Sequence, residues 1–148
     1  MKKYEFRLQT VLNLKEKALE EQLQKLSEVV SRLNAEKERL QEFEEKLASV
    51  QDLLYKMYSS EEVIDFRKIE VFKNYLAKTA SDIVQQKEII ENVDNLVKQQ
   101  QQEVNKALKE KKIFDKLKEK ESEKFYKEQE YKERTEIDDL TNSRYQGK

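Results

Sequence analysis

The amino-acid sequence predicts an all-α protein, an antiparallel two-helix coiled coil (αα-hairpin) whose second helix is longer and projects beyond the first. Leucine recurs every seven residues through the first half of the chain, and the 148 residues include no proline and a single glycine, Gly147. In addition, 41% of the residues are charged although the formal net charge is only −1. Because tight turns and hairpins rely on glycine and proline, all-β and α/β folds are disfavoured.

The first helix is predicted over about residues 4–57. Its repeated leucines are Leu12, Leu19, Leu26, Leu33, Leu40, Leu47 and Leu54. Three or four such heptads already indicate a coiled coil. The second apolar position of the heptad is expected to change side, from four residues after the leucine (Leu23, Val30) to three residues after it (Phe43, Val50, Met57), with Glu36 and Lys37 at the change. A straight helix drifts by about 20° per heptad against a 3.5-residue repeat, so a change of this kind keeps the stripe on its partner.

The bend is predicted at about residues 58–65. Ser59 and Glu62 have the spacing of a capping box, and Asp65 is a second candidate N-cap. A tight hairpin is favoured over one continuous helix because it buries both apolar stripes within a single chain. The chain is accordingly expected to be a monomer when free, with a parallel dimer as the alternative.

The second helix is predicted over about residues 60–141. Its heptad series is Ile69, Leu76, Ile83, Ile90, Val97 and Val104. Polar residues interrupt the companion position at Thr79, Gln86 and Gln100. Polar residues in such a position lower stability and can fix register, so we interpret them as register-fixing devices, with weak points in the packing as the alternative.

The last part of the second helix is predicted to lack an intramolecular partner. At 1.5 Å per residue the first helix spans roughly 80 Å and the second roughly 120 Å, which leaves an overhang from about residue 116, followed by a short disordered tail. The whole chain, 1–148, is treated as one coiled-coil domain. Lysine dominates residues 109–120 and acids dominate residues 121–139. This overhang is either a solvated helix held by weak ion pairs or a segment that folds firmly only in a partner.

Composition excludes most chemistry. The chain has no cysteine and no histidine, and its one glycine cannot form a phosphate-binding loop, so we expect no metal site, no cofactor and no catalytic residue. Acidic pairs lack the cleft that catalysis needs. The balanced charge disfavours nucleic acid, and no apolar run is long enough to insert in a membrane. A cytoplasmic protein that works by binding, not an enzyme, is the prediction.

The apolar stripe of the second helix is wider than one partner helix can easily cover. Tyr75, Ile89 and Leu96 stand beside the heptad series. We interpret Ile89 and Leu96 as part of a broad core, and Phe72 with Tyr75 as an exposed patch that docks a second protein.

Three segments in order along the chain resemble the FliJ family, small coiled-coil components of the bacterial flagellar type III export apparatus. They are residues 4–12 (YEFRLQTVL), 72–76 (FKNYL) and 133–139 (ERTEIDD). The resemblance implies a non-enzymatic stalk, like the γ subunit of rotary ATPases, that enters the pore of the hexameric export ATPase and promotes ring formation. It also implies contact with the cytoplasmic part of the export gate, escort of emptied export chaperones, and a peripheral place at the inner-membrane export apparatus, in support of flagellum biogenesis, motility and chemotaxis.

The resemblance also implies which residues make these contacts. The export-gate contact would be Phe72, Tyr75, Leu76, Thr79 and Ile83, and the ATPase contact would be Phe6, Leu8, Glu133, Glu136, Asp138 and Asp139. Two alternatives stay open: a stalk of an injectisome or rotary ATPase, and a generic coiled-coil scaffold with no ATPase partner.

Overall fold

The computed structural model describes residues 2–60 and 63–146. It contains two α-helices in these ranges, α1 (Gln9–Ser59, 51 residues) and α2 (Phe66–Gln146, 81 residues), and no strand. The helices pack against each other in antiparallel directions, which confirms the predicted all-α hairpin and its longer second helix. The structure divides the chain, predicted as one domain, into two compact units, Met1–Gln22 with Glu103–Lys148 (unit 1) and Leu23–Gln102 (unit 2).

The first helix begins later than the sequence predicts. Residues 2–8 are not helical, and the Gln9 amide donates to the Phe6 carbonyl at 3.0 Å in a turn that leads into α1. Phe6 is only 6% exposed. The non-helical segment is therefore tied down by a buried aromatic ring, although its apolar pattern suggested a helix from about residue 4.

The bend uses the second of the two candidate caps. The Arg67 amide donates to the Asp65 carboxylate at 3.0 Å, so Asp65 is the N-cap of α2. Ser59 is the last residue of α1, and its hydroxyl donates to the Tyr55 carbonyl at 2.9 Å. Glu62, the other half of the expected capping box, lies outside the described residues. So do the last two residues of the expected C-terminal tail, while α2 itself continues to Gln146 instead of ending at about residue 141.

Unit 2 buries the stripe that the heptads predicted. Its buried apolar side chains are Leu33, Leu54, Ile69, Ile83 and Val93, and its buried polar side chains are Thr79 and Gln86. On α2, Thr79, Ile83 and Gln86 are four and three residues apart, and Val93 follows Gln86 by seven, which is the pattern of a coiled-coil seam. Each fully buried Leu, Ile or Val side chain contributes roughly 1.5–3 kcal/mol to the free energy of unfolding.

The seam of α1 does not change side where the sequence predicted. Leu23 is 47% exposed, whereas Gln22 before it is half-buried, and the seam continues three residues after each leucine through Val29 to Glu36. Ile89 and Leu96, expected in the core, are 39% and 43% exposed. The buried stripe is therefore narrower at these positions than the apolar residues suggest. Elsewhere the seam contains buried polar side chains, and each of these needs a hydrogen-bond partner.

Gln86 shows how this requirement is met in unit 2. Its side chain is 3% exposed, and its amide nitrogen donates to the Glu36 backbone carbonyl at 2.9 Å and to the Glu36 carboxylate. The hydrogen bond thus joins Glu36, a seam position of α1 without an apolar side chain, to Gln86, a polar seam position of α2. A slip by one heptad would leave the Gln86 amide buried without this acceptor, so the pair favours a single register.

Replacing this pair with leucines is expected to raise stability and loosen register. Gln86→Leu with Glu36→Leu should raise the free energy of unfolding by about 1–3 kcal/mol, because apolar seam residues pack without desolvating polar groups. The chain has no native cysteine, so introduced pairs can report register. Lys46→Cys should cross-link with Tyr75→Cys in the parent chain, and with Asp82→Cys, one heptad away, only in the leucine variant. Exclusive cross-linking at position 75 in both chains would show that the pair does not set register.

Candidate functional site

The first residues of unit 1 form a clamp on α2, which we call the N-terminal clamp (residues 4–9). The Tyr4 ring lies 5.5 Å from the Phe125 ring, and its hydroxyl donates to the Glu121 carboxylate at 3.3 Å. Arg7 lies 3.8 Å from the other oxygen of the same carboxylate. Farther along, Lys118 donates to the Gln9 side chain at 2.8 Å. The clamp therefore covers α2 as far as Phe125.

The clamp corrects the expected start of the overhang at about residue 116. Gln9 contacts Lys118, and Tyr4 contacts Glu121 and Phe125, so the pairing between the start of the chain and α2 continues past residue 116. Within the described residues, every side chain from 130 to 145 is exposed. We call this stretch the acidic end. Sequence reasoning missed the clamp, although Phe125 continues the seam phase of Phe114 and was the available signal.

The environment of Tyr4 keeps its hydroxyl protonated. Partial burial, followed by the nearby Glu121 carboxylate that accepts its hydrogen bond, raises the pKa of Tyr4 above its ordinary value of 10.0, while Arg7 acts in the opposite direction. The phenol is therefore a donor throughout the neutral range. A group whose pKa is higher in the folded chain contributes stability that is complete below its unfolded pKa and is lost as pH rises through the folded value.

The pH prediction for the clamp follows from this sign. Subtracting the ultraviolet tyrosinate titration of a Tyr4→Phe variant from that of the parent chain should isolate one ionisation with a midpoint above pH 10, the ordinary value for tyrosine. Contacts of the clamp should be unchanged between pH 6 and pH 9. A midpoint at or below 10 would contradict the partial burial of the Tyr4 hydroxyl beside the Glu121 carboxylate.

The acidic end presents four of the six residues expected to touch an ATPase. Glu133, Glu136, Asp138 and Asp139 are all exposed, and the structure shows no ion pair to any of them among the described residues. Exposed apolar side chains lie between them, with Ile137 62% exposed. The remaining two residues, Phe6 and Leu8, lie in the clamp. Phe6 is buried and Leu8 is half-buried.

The five residues expected to touch an export gate lie in unit 2 and divide into two groups. Tyr75 is 40% exposed, and Phe72 and Leu76 are half-buried. Thr79 and Ile83, in contrast, are only 4% and 9% exposed. Thr79 and Ile83 belong to the buried seam and are not accessible to a partner. We call the accessible group, Phe72, Tyr75 and Leu76, the apolar patch.

Two shallow concavities flank the apolar patch. Tyr75 lines one of them with Lys46, Ser49 and Val50 of α1. Phe72 lines the other with Arg67, Lys68 and Val71 at the start of α2. The aromatic rings therefore stand between grooves that could accept side chains of a second protein.

The described residues offer no site for a metal ion or a membrane span. No group of three or more acidic side chains among them could hold a metal. Within the same residues, neither helix combines the length and the apolar character that crossing a bilayer requires.

Comparison with known proteins gives one match. The family described as "Flagellar FliJ protein" matches residues 3–148, which include the clamp, both helices, the apolar patch and the acidic end. No curated protein and no solved structure matches the chain significantly. The family match confirms the resemblance seen in the three sequence segments.

Proposed function

Because the chain belongs to the FliJ family and is a component of the flagellar export apparatus, we propose that it is the stalk that binds the hexameric export ATPase and promotes ring assembly and ATP hydrolysis. In this role the chain contributes no catalytic group. It contacts the export gate with a second surface, escorts export chaperones, and works in the cytoplasm at the inner-membrane export apparatus. Flagellum biogenesis, motility and chemotaxis depend on it through protein export.

The acidic end supports the ATPase contact most directly. It consists of 16 consecutive exposed positions, 130–145, on a helix whose earlier part is held by the clamp. A lone charged helix is marginal in water, so binding inside a protein ring would stabilise it. Exposed charge pairs contribute roughly 0.2–1 kcal/mol each, which permits many weak contacts that rearrange easily. Such contacts suit a stalk that must not lock its ring.

The clamp supports the acidic end from the side of α1. Buried Phe6 anchors residues 2–8, and the contacts of Tyr4 with Glu121 and Phe125 fix α2 just before its exposed part. Phe6 and Leu8 therefore act in ATPase binding by holding α2, and the four acids make the contact. This division explains how residues from opposite ends of the chain serve one surface.

Ring assembly follows by linkage. A ligand that binds the assembled ring more tightly than the free subunit shifts the equilibrium toward the ring by its difference in affinity. The acidic end is one continuous helix that can touch several subunits only when they surround it. Preferential binding to the ring is therefore the source of the proposed stimulation.

The apolar patch supports the gate contact. Aromatic side chains that are partly exposed on a well-packed helix are frequent anchors of protein interfaces. Phe72 and Tyr75 meet this description, and Leu76 is a half-buried neighbour; Thr79 and Ile83 are buried farther along the same helix. The patch lies in unit 2 and the acidic end in unit 1, so the two proposed contacts can be removed separately.

ATP turnover tests the proposal. Adding the full chain to the export ATPase should raise the rate of ATP hydrolysis in a saturable way, and increasing salt should weaken the effect because exposed charges carry it. An unchanged rate at concentrations where the two proteins bind would refute the stimulatory role. Unchanged stimulation in high salt would refute the electrostatic contact.

A further inference from the structure

A row of four cations runs along α1 in unit 2. Lys25, Arg32, Arg39 and Lys46 are spaced by seven residues and are all exposed. Each stands six residues after a seam leucine, at the position that flanks the seam on one side. The row therefore follows one edge of the hairpin for three heptads.

The facing row on α2 is mostly apolar. Tyr75, Ile89 and Leu96 share a seven-residue spacing with Asp82, and the three apolar side chains are 40%, 39% and 43% exposed. The register is given by the Gln86–Glu36 hydrogen bond and by the concavity that Tyr75 shares with Lys46. In this register Arg32 lies opposite Ile89, and Lys25 lies opposite Leu96.

Two of the four cations of this edge, Lys25 and Arg32, are not balanced in the usual way. In coiled coils, facing positions that flank the seam commonly carry opposite charges. Here Lys25 faces Leu96 and Arg32 faces Ile89. In the described part of the chain neither cation forms an ion pair, not even with Glu28 on the same helix. The edge thus places two cations that form no ion pair among the described residues next to half-exposed apolar side chains.

The outer border of the edge is uncharged. Beyond Ile89 and Leu96, the next exposed residues on the same side of α2 are Gln85, Asn92 and Gln99. A neighbouring helix would meet no charge repulsion from these amides, and burying them would cost less desolvation free energy than burying charged side chains. A helix lying along this edge would meet an apolar strip with cations on one side and amides on the other.

We propose that this edge, defined by Lys25, Arg32, Ile89 and Leu96, docks an acidic amphipathic helix of a partner protein as a third helix of the bundle. The partner helix places apolar residues on Ile89 and Leu96 at seven-residue spacing and carboxylates toward Lys25 and Arg32. The edge contains none of the residues of the apolar patch or the acidic end. The inference therefore stands independently of the gate and ATPase contacts.

Binding of a designed peptide tests the proposal. The probe, the glutamate peptide, is a fluorescein-labelled 21-residue helix with leucines in a heptad pattern and glutamates beside them. A control, the lysine peptide, has the same sequence with each glutamate replaced by lysine. Fluorescence anisotropy should show saturable binding of the glutamate peptide to the full chain. Ile89→Gln with Leu96→Gln should weaken binding at least tenfold. Lys25→Glu with Arg32→Glu should weaken it at least tenfold and create binding of the lysine peptide.

Matched controls and the outcomes that overturn the proposal are available. Lys37→Glu with Lys87→Glu alters charges on the other edge of the hairpin and should leave affinity within twofold, and circular dichroism should show equal helicity in all variants. Absence of peptide binding, or equal weakening by the control, overturns the proposal. So does a dimer of the parent chain in sedimentation that Ile89→Gln with Leu96→Gln abolishes, because a second copy would then occupy the edge. ATPase stimulation should be unchanged in every variant.

Discussion

Ending the chain after Glu130 is expected to abolish stimulation of the export ATPase while leaving the hairpin folded. The last contacts between the clamp and α2 involve Glu121 and Phe125, so this truncation removes almost only the acidic end. Ending the chain at residue 116 would be a poorer test because it would also remove Lys118, Glu121 and Phe125, which hold the clamp. Helicity should fall only in proportion to the residues removed, and thermal unfolding of the remainder should be unchanged.

Neutralising the four acids of the acidic end provides the finer version of this test. The variant carries Glu133→Gln, Glu136→Gln, Asp138→Asn and Asp139→Asn. If each exposed charge contributes roughly 0.2–1 kcal/mol, the four together contribute about 0.8–4 kcal/mol and should weaken binding to the ATPase by about fourfold or more. The control neutralises four exposed acids elsewhere, Glu20, Glu38, Glu44 and Glu88. Equal loss of stimulation in both variants would mean that only net charge matters and would contradict a localised contact.

Replacing Phe72 and Tyr75 with alanine is expected to weaken binding to the export gate at least tenfold. Truncating an aromatic anchor at the centre of an interface commonly removes 2 kcal/mol or more of binding free energy. Phe72 is only half-buried, so its loss should lower the free energy of unfolding by roughly 1–2 kcal/mol. Titration of the purified cytoplasmic part of the gate gives the affinity, and circular dichroism gives the helicity.

The gate variant has a matched control on the same unit. Tyr55→Ala with Val84→Ala removes two side chains that are 72% and 68% exposed outside the apolar patch. The control should bind the gate within twofold of the parent chain. Unchanged gate affinity in the Phe72 and Tyr75 variant would remove the apolar patch from the account without affecting the ATPase contact.

The general fold was predictable because heptad periodicity and the lack of helix breakers specify long packed helices. Seam residues such as Leu33, Ile69 and Val104 were found from spacing alone, and all three are buried. The side on which α1 meets its partner was not predictable at Leu23. The wrong prediction there maximised the apolar count. Farther along the seam, the buried Gln86 amide donates to Glu36 of the facing helix, a pairing that the apolar count also did not indicate. Sequence spacing ranks hydrophobic contacts and does not reveal such pairwise requirements.

The candidate surfaces were predictable only in part. Charge segregation pointed to the acidic end, and its four acids are exposed. The heptad spacing already placed Thr79 and Ile83 in the seam, and both are buried, whereas nothing periodic indicated the burial of Phe6. The clamp was missed because the non-helical residues 2–8 produce no periodic signal. Its contact with Phe125 becomes visible only in three dimensions.

The fraction of ATPase subunits assembled as hexamers tests the central claim, that the chain binds the assembled ring in preference to the free subunit. At a fixed subunit concentration near the midpoint of assembly, sedimentation velocity should show the hexamer fraction rising as the full chain is added, and not rising with the chain that ends after Glu130. A hexamer fraction that stays constant or falls while the chain is bound would contradict the claim, because a ligand shifts an equilibrium only toward the state that it prefers.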